Sequence, residues 1–235
     1  MPEEALAAAD GDCPRCGKPA TLCVCAEIAP IDNRIAVLIL QHPQEQDAAL
    51  GTAQLTHLSF KRATLKIGLS WPSLAKVLGR SVDPRRWAVL YLGSARASQI
   101  ARGREVVAVD RKGAALPEQD AALAEIEGVI LLDGSWSQAK ALWWRNAWLL
   151  KCRRVVLAPH RPSRFGKLRR EPRRESLSTI EAAALLVSRL EARPEIETTL
   201  SATFAKLLDR YRATRRQPSS ASSSPAAKAA SATTG

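Results

Sequence analysis

Four apolar runs constrain the fold of this chain more than any other feature of its sequence. Each run is continuous in hydropathy rather than alternating, and each is followed by glycine, proline or polar residues. A strand without polar alternation is buried on both faces, as in a parallel sheet covered by helices. A fifth run at 106–110 (VVAVD) is a weaker strand candidate. The four runs are 35–42 (IAVLILQH), 87–93 (WAVLYLG), 128–134 (GVILLDG) and 154–159 (RVVLAP).

Segments with helical periodicity separate and follow these strands. They cover 46–60, 117–127 and 137–150, and the tryptophans Trp143, Trp144 and Trp148 of the third are expected in the core. A later helix begins with the capping-box sequence Ser178-Thr179-Ile180-Glu181. The pattern predicts an α/β fold with a mainly parallel sheet and helices on both faces. A last amphipathic helix carries Leu200, Phe204, Leu207, Leu208 and Tyr211 on one face.

The composition divides the chain into three parts. Residues 1–30 form an N-terminal segment that contains a cysteine cluster, and residues 31–216 form the α/β domain. Residues 217–235 contain only small and polar residues, which predicts a disordered tail. The chain shows neither a secretory leader nor an apolar run long enough to cross a bilayer, so a cytoplasmic location is expected.

The cysteine cluster CPRCGKPATLCVC predicts a metal site. Its four thiols follow a Cys-x2-Cys-x6-Cys-x-Cys spacing, which is close enough for one tetrahedral ion. In a reducing compartment such a cluster favours metal over disulfides. A structural Zn²⁺ held by Cys13, Cys16, Cys23 and Cys25 is therefore predicted. This zinc knuckle either contacts RNA or only folds the N-terminus onto the domain.

Basic residues are concentrated in one part of the chain. The protein has 35 Lys and Arg against 23 Asp and Glu, a net charge of +12. Eleven of the basic residues lie between Arg145 and Arg174, where the only acidic residue is Glu171, so the local net charge is 11 − 1 = +10. This favours a partner with a phosphate backbone. A merely solvated basic face is the alternative.

Polar and flexible residues collect after the predicted strands, at 41–45, 93–95, 133–136 and 159–165. Ligands of open parallel sheets bind beyond the carboxyl ends of the strands, so these segments predict one shared site. His42 and Glu45 would line its wall, although a buried structural histidine fits His42 equally well. The chain lacks the phosphate loop of nucleotide hydrolases and the Gly-x-Gly-x2-Gly fingerprint of dinucleotide enzymes, which disfavours both classes.

Four motifs, together with the preceding CPRC and CVC, resemble the DTW-domain family. The motifs occur in the family's order at 40–53 (LQHPQEQDAALGTA), 131–140 (LLDGSWSQAK), 162–172 (PSRFGKLRREP) and 177–184 (LSTIEAAA). The resemblance implies a SPOUT-like fold with a C-terminal trefoil knot. It also implies a tRNA-uridine aminocarboxypropyltransferase. Such an enzyme moves the 3-amino-3-carboxypropyl group of S-adenosylmethionine to N3 of a tRNA uridine, forming acp3U and releasing 5'-methylthioadenosine.

The family signature Asp-x-Thr-Trp corresponds to Asp133-Gly134-Ser135-Trp136, with serine in place of threonine. The resemblance assigns catalytic roles to Asp133, Ser135 and Trp136. A carboxylate at a strand end could take the N3 proton of uridine as a general base, whereas capping of the next helix is the alternative for Asp133. Trp136 could stack on adenine or uracil, with core packing as its alternative.

Binding roles follow from the same resemblance. Arg164 is expected beside the methionine carboxylate of the donor, because guanidinium binds carboxylates and phosphates through two oxygens at once. Gly93, Gly134, Ser178 and Thr179 are the other expected donor contacts, although the capping box already accounts for Ser178. The expected tRNA contacts are Arg161, Lys167, Arg169, Arg170, Arg173 and Arg174.

Two other functions are compatible with the same residues. The first is a SPOUT-type RNA methyltransferase that uses the same donor, and the second is a non-enzymatic RNA-binding protein that contains zinc. The mass added to tRNA distinguishes the two transferases, and the RNA-binding protein would not bind S-adenosylmethionine. No obligate protein partner is implied.

Overall fold

A six-stranded sheet forms the centre of the computed structural model, which describes residues 11–90, 103–166, 168 and 177–216. The strands lie side by side in the order β2-β1-β5-β3-β6-β4. Every neighbouring pair is parallel except β4 and β6, which are antiparallel at one edge. The prediction of a mainly parallel α/β sheet is confirmed. The strands are β1 Ala36–Gln41, β2 Ala63–Ile67, β3 Trp87–Leu90, β4 Val106–Val109, β5 Gly128–Asp133 and β6 Arg153–Leu157.

Apolar side chains on both faces of the sheet are buried, as the continuous runs predict. In β1, Val37 and Ile39 belong to one apolar cluster, whereas Leu38 and Leu40 belong to a second. Successive side chains of a strand point to opposite faces, so the two clusters are the two sides of the sheet. The edge strand β2 was not predicted from the sequence. Its five residues do not form a continuous apolar run, because they are only half buried or exposed.

Helices cover both faces. Residues of α1, α5 and α6 pack in the first cluster, and residues of α2 and of the 3₁₀ segment Ala147–Lys151 pack in the second. The capping box at Ser178 starts α5 as predicted, and the predicted apolar face of α6 is buried. The helices are α1 Ala53–Ser59, α2 Leu74–Leu78, α3 Gln119–Ala124, α4 Trp136–Arg145, α5 Thr179–Glu191 and α6 Pro194–Arg216.

Three helices are shorter than the sequence predicts. The helix expected over 46–60 begins only at Ala53, because tight turns occupy the preceding residues, where the Gly51 N–H donates to the Ala48 carbonyl at 2.8 Å. The helix expected over 117–127 is α3, which covers only 119–124. The helix expected over 137–150 ends at Arg145, because the next residue, Asn146, leaves the helical conformation (φ −121°, ψ 69°).

The expected core packing of the tryptophans after Asp133 is only partly confirmed. Trp148 is buried, and its indole N–H donates to the Trp71 carbonyl at 2.9 Å. Trp143 packs partly buried against the second apolar cluster. Core packing is wrong for Trp144, whose exposure is 78%. The buried positions of α4 are Ala139 and Leu142, and a residue two places after a buried one points away from the core.

The cysteine-containing segment packs on the domain. Leu22, Val24 and Ile28 are buried in the same apolar cluster as α5 and α6. Within residues 11–90, 103–166 and 177–216, no helix has the length and apolar character needed to cross a bilayer. The predicted disordered tail, 217–235, lies outside the described residues.

Candidate functional site

The carboxyl ends of β1 and β5 bring Gln41 and Asp133 side by side in the sheet. The Asp133 side chain is buried, with 8% exposure, and both of its carboxylate oxygens accept hydrogen bonds. Gln41 Nε2 donates to Oδ2 at 2.9 Å, and Thr179 Oγ1 donates to Oδ1. Two central strands and the first turn of α5 therefore fix the orientation of this carboxylate.

Asp133 does not cap α4, so that alternative is wrong. The cap is Ser135, whose Oγ accepts from the Gln138 N–H at 3.5 Å, while Gln138 Oε1 accepts from the Ser135 N–H at 2.6 Å. This reciprocal pair is a capping box, and it holds the hydroxyl of Ser135 at the helix start.

Gly134 lies between β5 and α4, at a position where a larger side chain would collide with its neighbours. A Cβ added there would lie 2.9 Å from Gln138 Cβ and 3.4 Å from His42 Cβ, and the backbone φ is +156°. Only glycine combines this φ with such close approach. His42 is half buried and accepts from the Gln44 N–H through Nδ1, so it is not the buried core histidine of the alternative interpretation.

Trp136 lies in the first turn of α4, beside Asp133. Its ring is half buried, and Lys140 Nζ lies 5.5 Å from the ring centroid, within the range of a cation–π contact. The indole is therefore partly available to solvent at the carboxyl edge of the sheet.

The start of α5 links this carboxylate to the segment that follows β6. Glu181 Oε2 accepts from the hydroxyls of Ser178 and Ser163, both at 2.6 Å. Glu181 Oε1 accepts from the Arg164 N–H at 2.7 Å. Phe165 anchors the same segment in the core, where its ring meets Phe204 edge-on at 5.0 Å. Ser163 and Arg164 are thereby held beside the helix turn that contacts Asp133.

Arg161 and Arg164 are exposed on the wall of a cleft of about 460 Å³. Glu181 and Arg189 also line this cleft, so it borders the same turn of α5. Of the predicted site residues, the structure thus places Asp133, Gly134, Ser135, Trp136, Arg161, Arg164, Ser178 and Thr179 at the carboxyl edge of the sheet. The other six, Gly93, Lys167, Arg169, Arg170, Arg173 and Arg174, lie outside the described residues.

The four cysteines of the knuckle form a cluster that could hold a metal ion. Their sulfur atoms all lie within 4.8 Å of one another. Burial raises the pKa of Cys16 and of Cys25, so a bound cation is what would keep these thiolates charged. Four thiolates at this distance suit a tetrahedral Zn²⁺ and leave no position for a substrate, which is the pattern of a structural site.

Lys18 belongs to the same surroundings and was not predicted. It lies on the knuckle but is only 5% exposed, and its Nζ donates to the carbonyls of Ala49 (2.9 Å) and Ala48 (3.4 Å). Burial lowers the pKa of Lys18, while the charges of Cys16 and Asp133 act in the opposite direction. No pattern in CPRCGKP signals this burial, because a lysine after a cysteine pair is ordinarily solvated.

Lys18, Gln41 and Glu45 line a second cleft, of about 340 Å³, between the knuckle and the carboxyl ends of β1 and β2. Glu45, which the sequence predicts as a wall of the shared site, lines this second cleft together with Gln41. The knuckle therefore borders the strand ends from which the Asp133 site is built.

Comparison with known proteins gives a family and a set of curated relatives. A model of the DTW domain matches residues 11–212. The chain is 28% identical to "tRNA-uridine aminocarboxypropyltransferase 2" of Drosophila melanogaster over 194 residues, which are 80% of this chain and 70% of the relative. The proteins of the same name from Mus musculus and Macaca fascicularis are also 28% identical, over 80% of this chain and 59% of theirs.

This chain therefore spans about three fifths to seven tenths of the length of these relatives. No solved structure matches it significantly. The match over 11–212 includes the cysteine cluster, Asp133 and its neighbours, and the helices that hold them, and it shows that this chain belongs to the DTW-domain family.

Proposed function

We propose that this protein is a tRNA-uridine aminocarboxypropyltransferase that uses S-adenosylmethionine as its donor. One observation carries the proposal: Asp133, in the family signature, is a buried carboxylate held at the carboxyl end of a central strand by Gln41 and Thr179. The names of the curated relatives support the same activity. A SPOUT-like class and a C-terminal trefoil knot are part of this proposal, and the family resemblance is their basis. The cytoplasmic location expected from the sequence is proposed as well.

The proposed reaction needs one proton acceptor and close positioning. The N3–H proton of uridine passes to the Asp133 carboxylate, and N3 forms a bond to the γ-carbon of the donor. The bond from that carbon to sulfur breaks, and its electron pair stays on sulfur in 5'-methylthioadenosine. A carboxylate has about four lone-pair positions, of which Gln41 and Thr179 use two, so an acceptor position remains for the proton.

The neighbours of Asp133 have positioning roles in this proposal. Gly134 lets a substrate approach the backbone, and Trp136 offers its ring to a base. Arg164 would bind the donor carboxylate, with Gly93, Ser178 and Thr179 as further donor contacts. The tRNA phosphates would be bound by six other cations, Arg161, Lys167, Arg169, Arg170, Arg173 and Arg174. Zn²⁺ held by the four cysteines would stabilise the knuckle and take no part in the reaction.

Transfer to tRNA tests the proposal directly. Purified protein, S-adenosylmethionine and unmodified tRNA should yield a tRNA whose mass rises by one 3-amino-3-carboxypropyl group. Asp133→Asn should abolish this transfer while the melting temperature stays close to that of the parent, because the amide preserves the shape but accepts no proton. Asp209→Asn, a largely exposed carboxylate of α6, is the matched control and should react normally.

Other outcomes would reject parts of the proposal. A mass gain of one methyl group would identify a methyltransferase. Failure of calorimetry to detect S-adenosylmethionine binding would favour a non-enzymatic RNA-binding protein. Near-normal turnover by Asp133→Asn would exclude Asp133 as the general base.

A further inference from the structure

Helix α4 carries an indole that folding leaves in water. Trp144 is 78% exposed, which is more than any other large apolar side chain in the described part of the chain. The same helix leaves the sheet directly after Asp133, so Trp144 lies roughly 13 Å along the helix axis from Ser135. An indole exposed at this distance from the proposed Asp133 site is a candidate contact for a binding partner.

Trp144 is one member of a regular stripe. Trp136, Lys140 and Trp144 are four residues apart, and residues at this spacing lie on the same face of a helix. Lys140 is exposed, and its Nζ lies over the Trp136 ring at 5.5 Å. The stripe, Trp136–Lys140–Trp144, thus alternates aromatic and cationic side chains from the Asp133 site outward.

The end of the stripe is rigid. Asn146, which is completely buried, donates through Nδ2 to the carbonyls of Leu142 (2.7 Å) and Leu69 (3.0 Å). Its Oδ1 accepts from the Trp71 N–H at 2.8 Å. These bonds fix the last turn of α4 on the segment before α2. Trp144 is therefore presented by a fixed backbone, which lowers the entropic cost of binding.

The stretch of sequence that contains the stripe carries charge of one sign. Between Gly134 and Arg170 the sequence has ten Lys or Arg residues and no Asp or Glu. Arg145, next to Trp144, is exposed, and neither it nor Lys140 forms an ion pair with a described residue. A surface of cations and aromatic rings suits a single-stranded nucleic acid, whose phosphates and bases it can bind together.

We propose that this stripe is the docking surface for a single-stranded segment of the substrate RNA, with one base stacked on Trp144 and the neighbouring phosphates on Lys140 and Arg145. The inference rests on the proposed function in one respect, namely that RNA is the substrate. It adds where the nucleotides flanking the target uridine bind. Stacking requires no particular base, so the stripe contributes affinity and register rather than sequence specificity.

Substitution of Trp144 tests this surface. Binding of unmodified tRNA, and of a short single-stranded oligouridylate, is measured for Trp144→Ala, Trp144→Leu and Trp144→Tyr. The alanine and leucine variants should bind roughly 5- to 100-fold more weakly, since they lose one stacked base. Tyrosine should restore most of the affinity because its ring still stacks. Melting temperatures should not change, because Trp144 is exposed.

Cation substitutions give an independent measurement. Lys140→Ala and Arg145→Ala should each reduce the slope of log affinity against log salt concentration by about one. Lys112→Ala is the matched control. Lys112 is exposed in the turn after the edge strand β4, and its removal should leave both affinity and salt slope unchanged.

The outcomes separate this inference from the proposed function. If wild type modifies tRNA but all Trp144 variants bind and react normally, the stripe is not the docking surface. If wild type binds RNA through Trp144 but adds no mass to it, the proposed reaction is wrong and the docking surface stands. If Trp144→Ala converts a dimer to a monomer with RNA affinity unchanged, the stripe is a self-association surface and the inference is overturned.

Discussion

Thr179 holds one oxygen of Asp133 although the two residues lie 46 positions apart in the sequence. Its hydroxyl donates to Oδ1, while Gln41 donates to Oδ2. A carboxylate fixed by two donors is already oriented before substrate arrives, and such preorganisation is what a general base needs. In the proposed reaction Thr179 is therefore a positioning residue for Asp133, besides its proposed contact with S-adenosylmethionine.

Removing the hydroxyl of Thr179 tests this role. Thr179→Val keeps the shape but leaves Oδ1 without its donor, so we expect kcat to fall roughly 10- to 100-fold, the effect of one hydrogen bond to a charged group. KM for tRNA should change little. Thr179→Ser keeps the hydroxyl and should retain most activity. A valine variant with the kcat of the parent would contradict the role.

At the scale of single residues, the sequence predicts at which strand end the candidate residues lie but not the hydrogen bonds that connect them. Asp133, Gly134 and Trp136 could be located because they follow a buried strand. The Thr179 contact could not, because it depends on how α5 packs across the strand ends. The burial of Lys18 was equally hidden, since it depends on the carbonyls of residues 48 and 49, which are remote in sequence.

At the scale of elements, the knuckle is connected to the site through Lys18. Its ammonium donates to the carbonyls of Ala48 and Ala49, in the turns that precede α1. Those turns end at Thr52, whose Oγ1 accepts from the Ile180 N–H at 3.2 Å, in the first turn of α5. The knuckle, the turns before α1 and the start of α5 therefore form one connected support behind Thr179.

Replacing Lys18 by methionine should weaken this support. The carbonyls of Ala48 and Ala49 lose their charged donor, which we expect to lower the free energy of unfolding by about 1–2 kcal/mol and the melting temperature by roughly 2–8 °C. Zinc content, measured in the same sample, should not change, because the four cysteines remain. Lys112→Met, at an exposed position, is the control. Unchanged melting of the Lys18 variant would show that its two hydrogen bonds contribute no stability.

Helix α4 shows why element boundaries are harder to predict than element types. The sequence predicts a helix after Asp133, and one exists. Its end depends on Asn146, whose side chain bonds to the backbone of residues 69 and 71. Those partners come from another segment, so the local sequence does not reveal them. The hydropathy pattern therefore predicts a helix that continues to 150, with Trp144 in the core, whereas Trp144 is exposed.

At the scale of the whole molecule, the sequence predicts the sheet but not its order. Continuous apolar runs indicate parallel strands buried on both faces, and the structure has them. The position of β5 between β1 and β3, and the antiparallel β4 at the edge, depend on packing between distant segments. Local periodicity carries no information about the order of strands in a sheet. It also does not detect short edge strands such as β2, which have no continuous apolar run.

One ion-pair network joins the β4 edge of the sheet to the C-terminal helices. Glu105, just before β4, accepts from Arg189 of α5 through Oε2 at 2.8 Å and from the His160 N–H through Oε1 at 3.3 Å. Arg189 also pairs with Glu197 of α6 at 2.8 Å. The Glu105 side chain is only 13% exposed, so water screens this pair less than a surface one.

Stability should depend on the charge of Glu105 in a defined pH range. Burial alone would raise the pKa of Glu105, but the Arg189 guanidinium and the His160 N–H hold it below the ordinary value of about 4.3. The stabilisation is therefore fully present above pH of about 4.3 and is lost as the pH falls through the lowered pKa of the folded state. Near neutral pH, Glu105→Gln should cost about 1–2 kcal/mol, seen as a lower melting temperature.

The difference between Glu105→Gln and the parent should narrow as the pH falls below about 4, because the parent then loses the same charge. Glu197→Gln is the matched control: it removes the second partner of Arg189, but its side chain is 39% exposed, so its effect should be smaller at every pH. Parallel curves of melting temperature against pH for Glu105→Gln and the parent would show that the charge of Glu105 does not couple the β4 edge to α5.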